Sequence, residues 1–136
     1  MKALLFSTKN LFNDVALLLL RITFGGIMLV NHGLGKWHMF GESPDKFIDF
    51  MGMGPTVSLA LVVFAEAVCA LLIAVGLATR LATIPLIITM LVAVFVAHSG
   101  DTFADRESAV IYLMAYTVLL ITGPGKFSVD HQLAKR

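Results

Sequence analysis

Two ionisable residues stand inside apolar runs that are otherwise free of charge. Arg21 lies in LLLLRITFGGIML, residues 17–29, and Glu66 lies in the run Pro55–Thr79. A charge within a membrane-crossing segment is costly, so such residues usually face the interior of a bundle and pair with each other. From their estimated depths we predict that Arg21 and Glu66 pair, and we take both as candidate catalytic residues. Two alternatives stay open: the pair only fixes helix register, or Arg21 reaches the lipid headgroups.

A second set of polar residues lies near the ends of the apolar runs, all on one predicted side. Histidine, lysine and glutamate at such positions can relay protons or hydrogen-bond an anionic or quinone oxygen. No HxxxH or HxxE spacing occurs within one helix, so we predict no metal site. A single histidine at a helix end is also often a headgroup contact or a cap. The predicted cofactor-binding residues are His32, Lys36, His98 and Glu107.

The composition indicates that lipid, and not only a protein core, covers the apolar surface. The chain has 136 residues, of which 58% are hydrophobic and 14% charged, and its mean hydropathy is +0.89. Globular domains carry about a quarter charged residues. A net charge of +1 without a basic tract argues against nucleic-acid binding. The single cysteine, Cys69, excludes an internal disulfide or a dithiol pair.

The apolar runs predict an all-α fold, a membrane-embedded four-helix bundle that forms one domain over residues 1–136. The expected spans are about 14–32, 55–79, 81–98 and 103–122, each close to the ~20 residues that cross a bilayer. The fourth is expected to start after a capping box formed by Thr102 and Asp105, and to end at Gly123.

The connection between the first two spans carries helix signals of its own. Ser43 followed by Pro44 favours a helix start, and Gly52 and Gly54 favour a stop. We therefore predict a short amphipathic helix on the membrane surface. Lysine and arginine are more frequent on the side of both termini, which the positive-inside rule places in the cytoplasm. Residues 1–13 are expected to be an uncleaved cytosolic or interfacial lead-in.

The first span presents a polar stripe on one face of a regular helix. Small residues at Gly25 and Gly26 are expected to let another helix approach closely. Tyr112 and Tyr116 share a face of the fourth span and are interpreted as core or interfacial residues. The predicted polar stripe consists of Arg21, Gly25, Met28, His32 and Lys36.

The order of these motifs resembles that of the DoxX family of small membrane proteins. The resemblance is carried, in order, by Arg21, HGLGK (32–36), Glu66, VGLATR (75–80), His98 and GPGKFSVD (123–130). It implies a four-helix bundle in the cytoplasmic membrane of a bacterium, and quinone-linked redox work in assemblies that respond to oxidative stress. The signature polar residues that it implies are Arg21, Lys36, Glu66, Arg80 and His98.

Three functional hypotheses follow from these residues and from the resemblance. The first is a membrane subunit of a quinone-linked oxidoreductase, which binds menaquinone or ubiquinone and takes electrons from a partner subunit. The second is a small homo-oligomeric transporter, or a protein that binds protons or a solute. The third is a scaffold without chemistry of its own. The sequence leaves open whether the chain itself is an enzyme.

Overall fold

Residues 12–136 fold into four long helices and one short helix. The computed structural model describes residues 12–136, so most of the predicted lead-in lies outside the described residues. No strand occurs among the described residues, which confirms the all-α fold class. The helices are α1 (Asn13–Glu42), α2 (Pro55–Val75), α3 (Thr79–Ala97), α4 (Phe103–Thr122) and α5 (Val129–Ala134).

Three of these helices are long and apolar enough to cross a membrane, namely α1, α2 and α3. Large apolar side chains project outward from them, for example Leu19, Ile88 and Phe95. An exposed apolar surface of this extent is unfavourable in water, so these faces imply contact with a lipid bilayer. The 20-residue helix α4 packs along α3.

Helix α1 is longer than predicted, and the prediction of a short amphipathic helix after it is wrong. Helix α1 continues through Gly33 and Gly35 to Glu42. Ser43 ends this helix, and only a single 3-10 turn, Pro44–Lys46, follows it. A glycine costs a helix interior only about 1 kcal/mol. In lipid a broken helix would leave backbone groups unpaired at a higher cost, which explains why the helix continues.

Local signals determine the other helix boundaries. Helix α2 ends at Val75, earlier than the expected 79, because Gly76 adopts a left-handed conformation with φ 77°. The capping box that opens α4 is confirmed: the Thr102 amide and hydroxyl donate to Asp105 Oδ2 at 3.1 and 2.7 Å. Gly123 follows the last residue of α4, as predicted.

Each of the three apolar spans contains one π-helical turn. The turns are Leu29–Gly33 in α1, Phe64–Cys69 in α2 and Ala93–Ala97 in α3. Such turns are rare and often occur at functional sites. Their i→i+5 hydrogen bonds add one residue to a turn and so shift which residues face the core. The buried positions of α1 accordingly pass from Met28 to Gly33, and His32 turns partly away from the core.

Candidate functional site

The buried carboxylate of Glu66 pairs with Lys36. Lys36 Nζ donates to Glu66 Oε2 at 2.5 Å, and the two side chains are 25% and 5% exposed. The predicted pair between Arg21 and Glu66 is therefore wrong, although both residues are buried inside the bundle as expected. A charge pair in this setting is stable only as a unit, since removal of one partner leaves a buried charge uncompensated.

Close packing between α1 and α2 fixes which residues meet. A Cβ atom on Gly25 would lie 2.8 Å from the Ala70 carbonyl oxygen, and one on Gly33 would collide with the backbone of Glu66. A Cβ on Gly26 would meet no other residue within 4 Å, so of the two predicted glycines only Gly25 lies at a close approach between helices. This register sets Lys36 one turn beyond Gly33 and within reach of Glu66.

The same register places Arg21 at the opposite end of α2. A Cβ on Gly76 would collide with Arg21 Nη1, so the guanidinium lies against the turn that ends α2. Ten residues of helix, or about 15 Å, separate Gly76 from Glu66. An arginine side chain does not span that distance. The predicted pair rested on the assumption that the ends of α1 and α2 are level, whereas Arg21, eight residues into α1, lies beside the residue that follows α2.

The Arg21 guanidinium holds the segment that follows α4. Arg21 is fully buried and its Nη2 donates to the carbonyl oxygen of Phe127. The Asp130 amide donates to the Gly76 carbonyl at 2.9 Å. The Asp130 carboxylate accepts the amides of Ala78 and Thr79 at 2.7 and 2.9 Å. Arg21 and Asp130 thus bind the C-terminal segment, residues 123–130, to the α2–α3 turn.

Tyr112 of α4 contacts His32, which directly precedes Gly33 in α1, and it is the residue that sequence reasoning did not assign to a site. Its ring meets the His32 ring edge-on with centroids 5.8 Å apart, and it stacks on Tyr116 at 6.0 Å. Its burial agrees with the predicted core position. The only sequence signal was the i,i+4 spacing of the two tyrosines.

Two of the predicted cofactor-binding residues do not join this group. His98 Nδ1 lies 2.7 Å from Asp101 Oδ2 on the surface. Glu107 is exposed and forms none of the ion pairs between described residues. Lys36, Glu66, His32 and Tyr112 therefore form the candidate site, which we call the Lys36 cluster. Within residues 12–136 no three His, Cys, Asp or Glu side chains are grouped as metal ligands would be.

The side chains of the cluster offer hydrogen-bond donors and an acceptor. Lys36 supplies a cationic donor that keeps a quarter of its surface open, and Glu66 supplies a proton acceptor beneath it. Tyr112 adds a hydroxyl that makes none of the hydrogen bonds found between described side chains. Donors and an acceptor around aromatic rings suit a flat ring that carries oxygens.

A comparison with known protein families finds a match for part of the chain. The family model described as DoxX matches residues 16–99, which include most of α1 and all of α2 and α3. No curated protein and no solved structure matches the chain significantly.

Proposed function

Since the chain belongs to the DoxX family, we propose that it is a membrane-embedded subunit of a quinone-linked oxidoreductase system whose quinone binds at the Lys36 cluster. The observation that carries the proposal is the Lys36–Glu66 pair, held at 2.5 Å, with Glu66 on the π-helical turn of α2 and Lys36 three residues after the π-helical turn of α1. A buried carboxylate near the middle of an apolar helix is costly to maintain, which favours a functional role for Glu66.

The residues of the cluster fit a quinone head group, menaquinone or ubiquinone. Lys36 and Tyr112 can each donate a hydrogen bond to a carbonyl oxygen, and the rings of His32 and Tyr112 offer an apolar wall. A bound quinone would supply two-electron, two-proton chemistry. Glu66 orients the Lys36 ammonium through their hydrogen bond, and its carboxylate can accept a proton that passes to or from the outer end of α1. His98 and Glu107 stay candidates for the entry side of such a site.

The fold around this site is proposed to be a four-helix transmembrane bundle with α4 as its fourth span. We place it in the cytoplasmic membrane of a bacterium with both termini in the cytoplasm, on the strength of the positive-inside distribution. The chain has one cysteine and hence no dithiol pair. We therefore expect electrons to arrive from a separate protein subunit or from a redox group that such a partner carries.

Quinone binding to the purified protein tests the proposal. Short-chain menaquinone and ubiquinone are added separately in detergent, and the melting temperature is recorded. A Lys36→Met/Glu66→Leu double variant removes both charges at once and so avoids an unpaired buried charge. An Asp14→Leu/Lys126→Met variant is the matched control, because it removes another ion pair, at 3.6 Å, near the opposite end of the bundle.

The expected result is a rise in melting temperature for the wild type and the control, and none for the Lys36→Met/Glu66→Leu variant. A wild type that responds to neither quinone refutes the quinone function. If quinone still raises the melting temperature of the double variant, it does not bind at the Lys36 cluster.

The position of Glu66 near the middle of α2 also favours proton or solute passage as a second function. Four spans are few for alternating access, so this function requires a homo-oligomer. Proton flux into liposomes that disappears in Glu66→Gln supports it. The scaffold hypothesis predicts instead that the Lys36→Met/Glu66→Leu variant folds and leaves the host phenotype unchanged.

A further inference from the structure

A groove with basic residues in its wall opens at the end of the bundle that holds the C-terminal segment. It has a volume of about 650 Å³ and lies between the start of α3, the end of α4 and the residues after Gly123. Arg80, Lys126 and His131 contribute basic side chains to its wall. The groove is far from the Lys36 cluster, because it lies beyond Gly76 at the other end of α2.

A second, apolar groove of about 280 Å³ runs along the bundle between α2 and α3. Phe64, Leu72 and Ile84 line it, and Phe64 and Ile84 are half exposed on the lipid-facing side. Ala78 and Leu81 line both grooves. The two grooves are thus adjacent, and together they form one surface that is basic at the membrane boundary and apolar beside the hydrocarbon.

Arg80 is the uncompensated charge of this surface. Its guanidinium is exposed, donates one long hydrogen bond of 3.4 Å to the Ile121 carbonyl, and forms no ion pair with a described carboxylate. The two carboxylates that line the groove have other partners. Asp130 accepts the amides of Ala78 and Thr79, and Asp14 accepts the amide of Lys126 at 2.9 Å.

We propose that this surface binds an anionic glycerophospholipid, with the phosphate at Arg80 and one acyl chain in the apolar groove. A phosphate matches the fork of a guanidinium, and basic residues at the end of a span attract anionic lipids. The adjacent apolar groove demands an amphiphile and not a free anion. The inference does not depend on the proposed quinone function.

Native mass spectrometry of the purified full-length protein tests the lipid site. Phosphatidylglycerol, phosphatidylcholine and soluble glycerol phosphate are titrated separately onto the delipidated protein. Arg80→Gln removes the phosphate contact, and Ile84→Trp narrows the apolar groove. Lys135→Gln is the control, because it removes an exposed basic residue of the same C-terminal region that lines neither groove.

We expect the wild type and Lys135→Gln to prefer phosphatidylglycerol, and Arg80→Gln to bind it about fivefold more weakly. Ile84→Trp is expected to weaken both lipids. Equal loss in Arg80→Gln and Lys135→Gln overturns the phosphate site. Binding of glycerol phosphate as tight as that of the lipid, or displacement of the lipid by menaquinone, overturns the assignment of a phospholipid.

Discussion

The replacement of Gly33 by alanine tests the contact on which the Lys36 cluster depends. The added Cβ would collide with the backbone of Glu66, and backbone atoms cannot move aside as a flexible side chain can. Overpacking of this kind costs about 1–3 kcal/mol. Alanine regains up to about 1 kcal/mol through its higher helix propensity. We therefore expect Gly33→Ala to lose about 1–2 kcal/mol of stability and to move Lys36 away from Glu66.

Gly35→Ala is the matched control in the same helix, because a Cβ there meets nothing within 4 Å. Helical circular dichroism, followed during heating in one detergent, reports both variants. We expect Gly33→Ala to melt several degrees below the wild type and Gly35→Ala to melt at or above it. Equal melting of the two variants would refute the close approach of α1 to α2, and with it the geometry of the cluster.

Three further variants test the rest of the fold. Arg21→Met leaves the Phe127 carbonyl without its hydrogen-bond donor, and the loss of this bond costs about 1–3 kcal/mol of stability. Chymotrypsin should therefore cut after Phe127 faster than in the wild type. An unchanged cleavage rate contradicts the contact. Gly76→Ala should destabilise the protein far more than Gly52→Ala. The two glycines have similar positive φ angles of 77° and 74°, but only a Cβ on Gly76 would meet another residue. Similar melting temperatures of the two variants argue against the position of Arg21. Thr102→Ala should cost about 1 kcal/mol and speed hydrogen exchange in the first turn of α4, and unaltered exchange speaks against the capping box.

Features encoded by neighbouring residues could be predicted from the sequence. Thr102 and Asp105 lie three residues apart, so their side chains and amides meet once the first turn forms. Gly123 ends α4 for an equally local reason, its positive φ of 80°. The burial of Arg21 and Glu66 could also be predicted, because their apolar surroundings leave few other positions for a charge.

Features that depend on contacts between helices could not be predicted in this way. The partner of Glu66 is decided by the register of α1 against α2, which the contacts of Gly25 and Gly33 fix. The π-helical turn Leu29–Gly33 changes which residues of α1 face inward, and no residue type signals it. A regular α-helix would turn His32 toward the core, whereas in the structure Gly33 takes that buried position.

The contact between Arg21 and Phe127 has a consequence for the order of assembly during synthesis. The two residues are separated by 106 positions along the chain. The ribosome makes Arg21 with the first helix, but Phe127 only after all four long helices. An early intermediate in the membrane thus carries a cation whose acceptor has yet to be made. Closure of that end of the protein is therefore a late step, and the nascent protein depends on headgroups or water at Arg21 until the residues after α4 have been made.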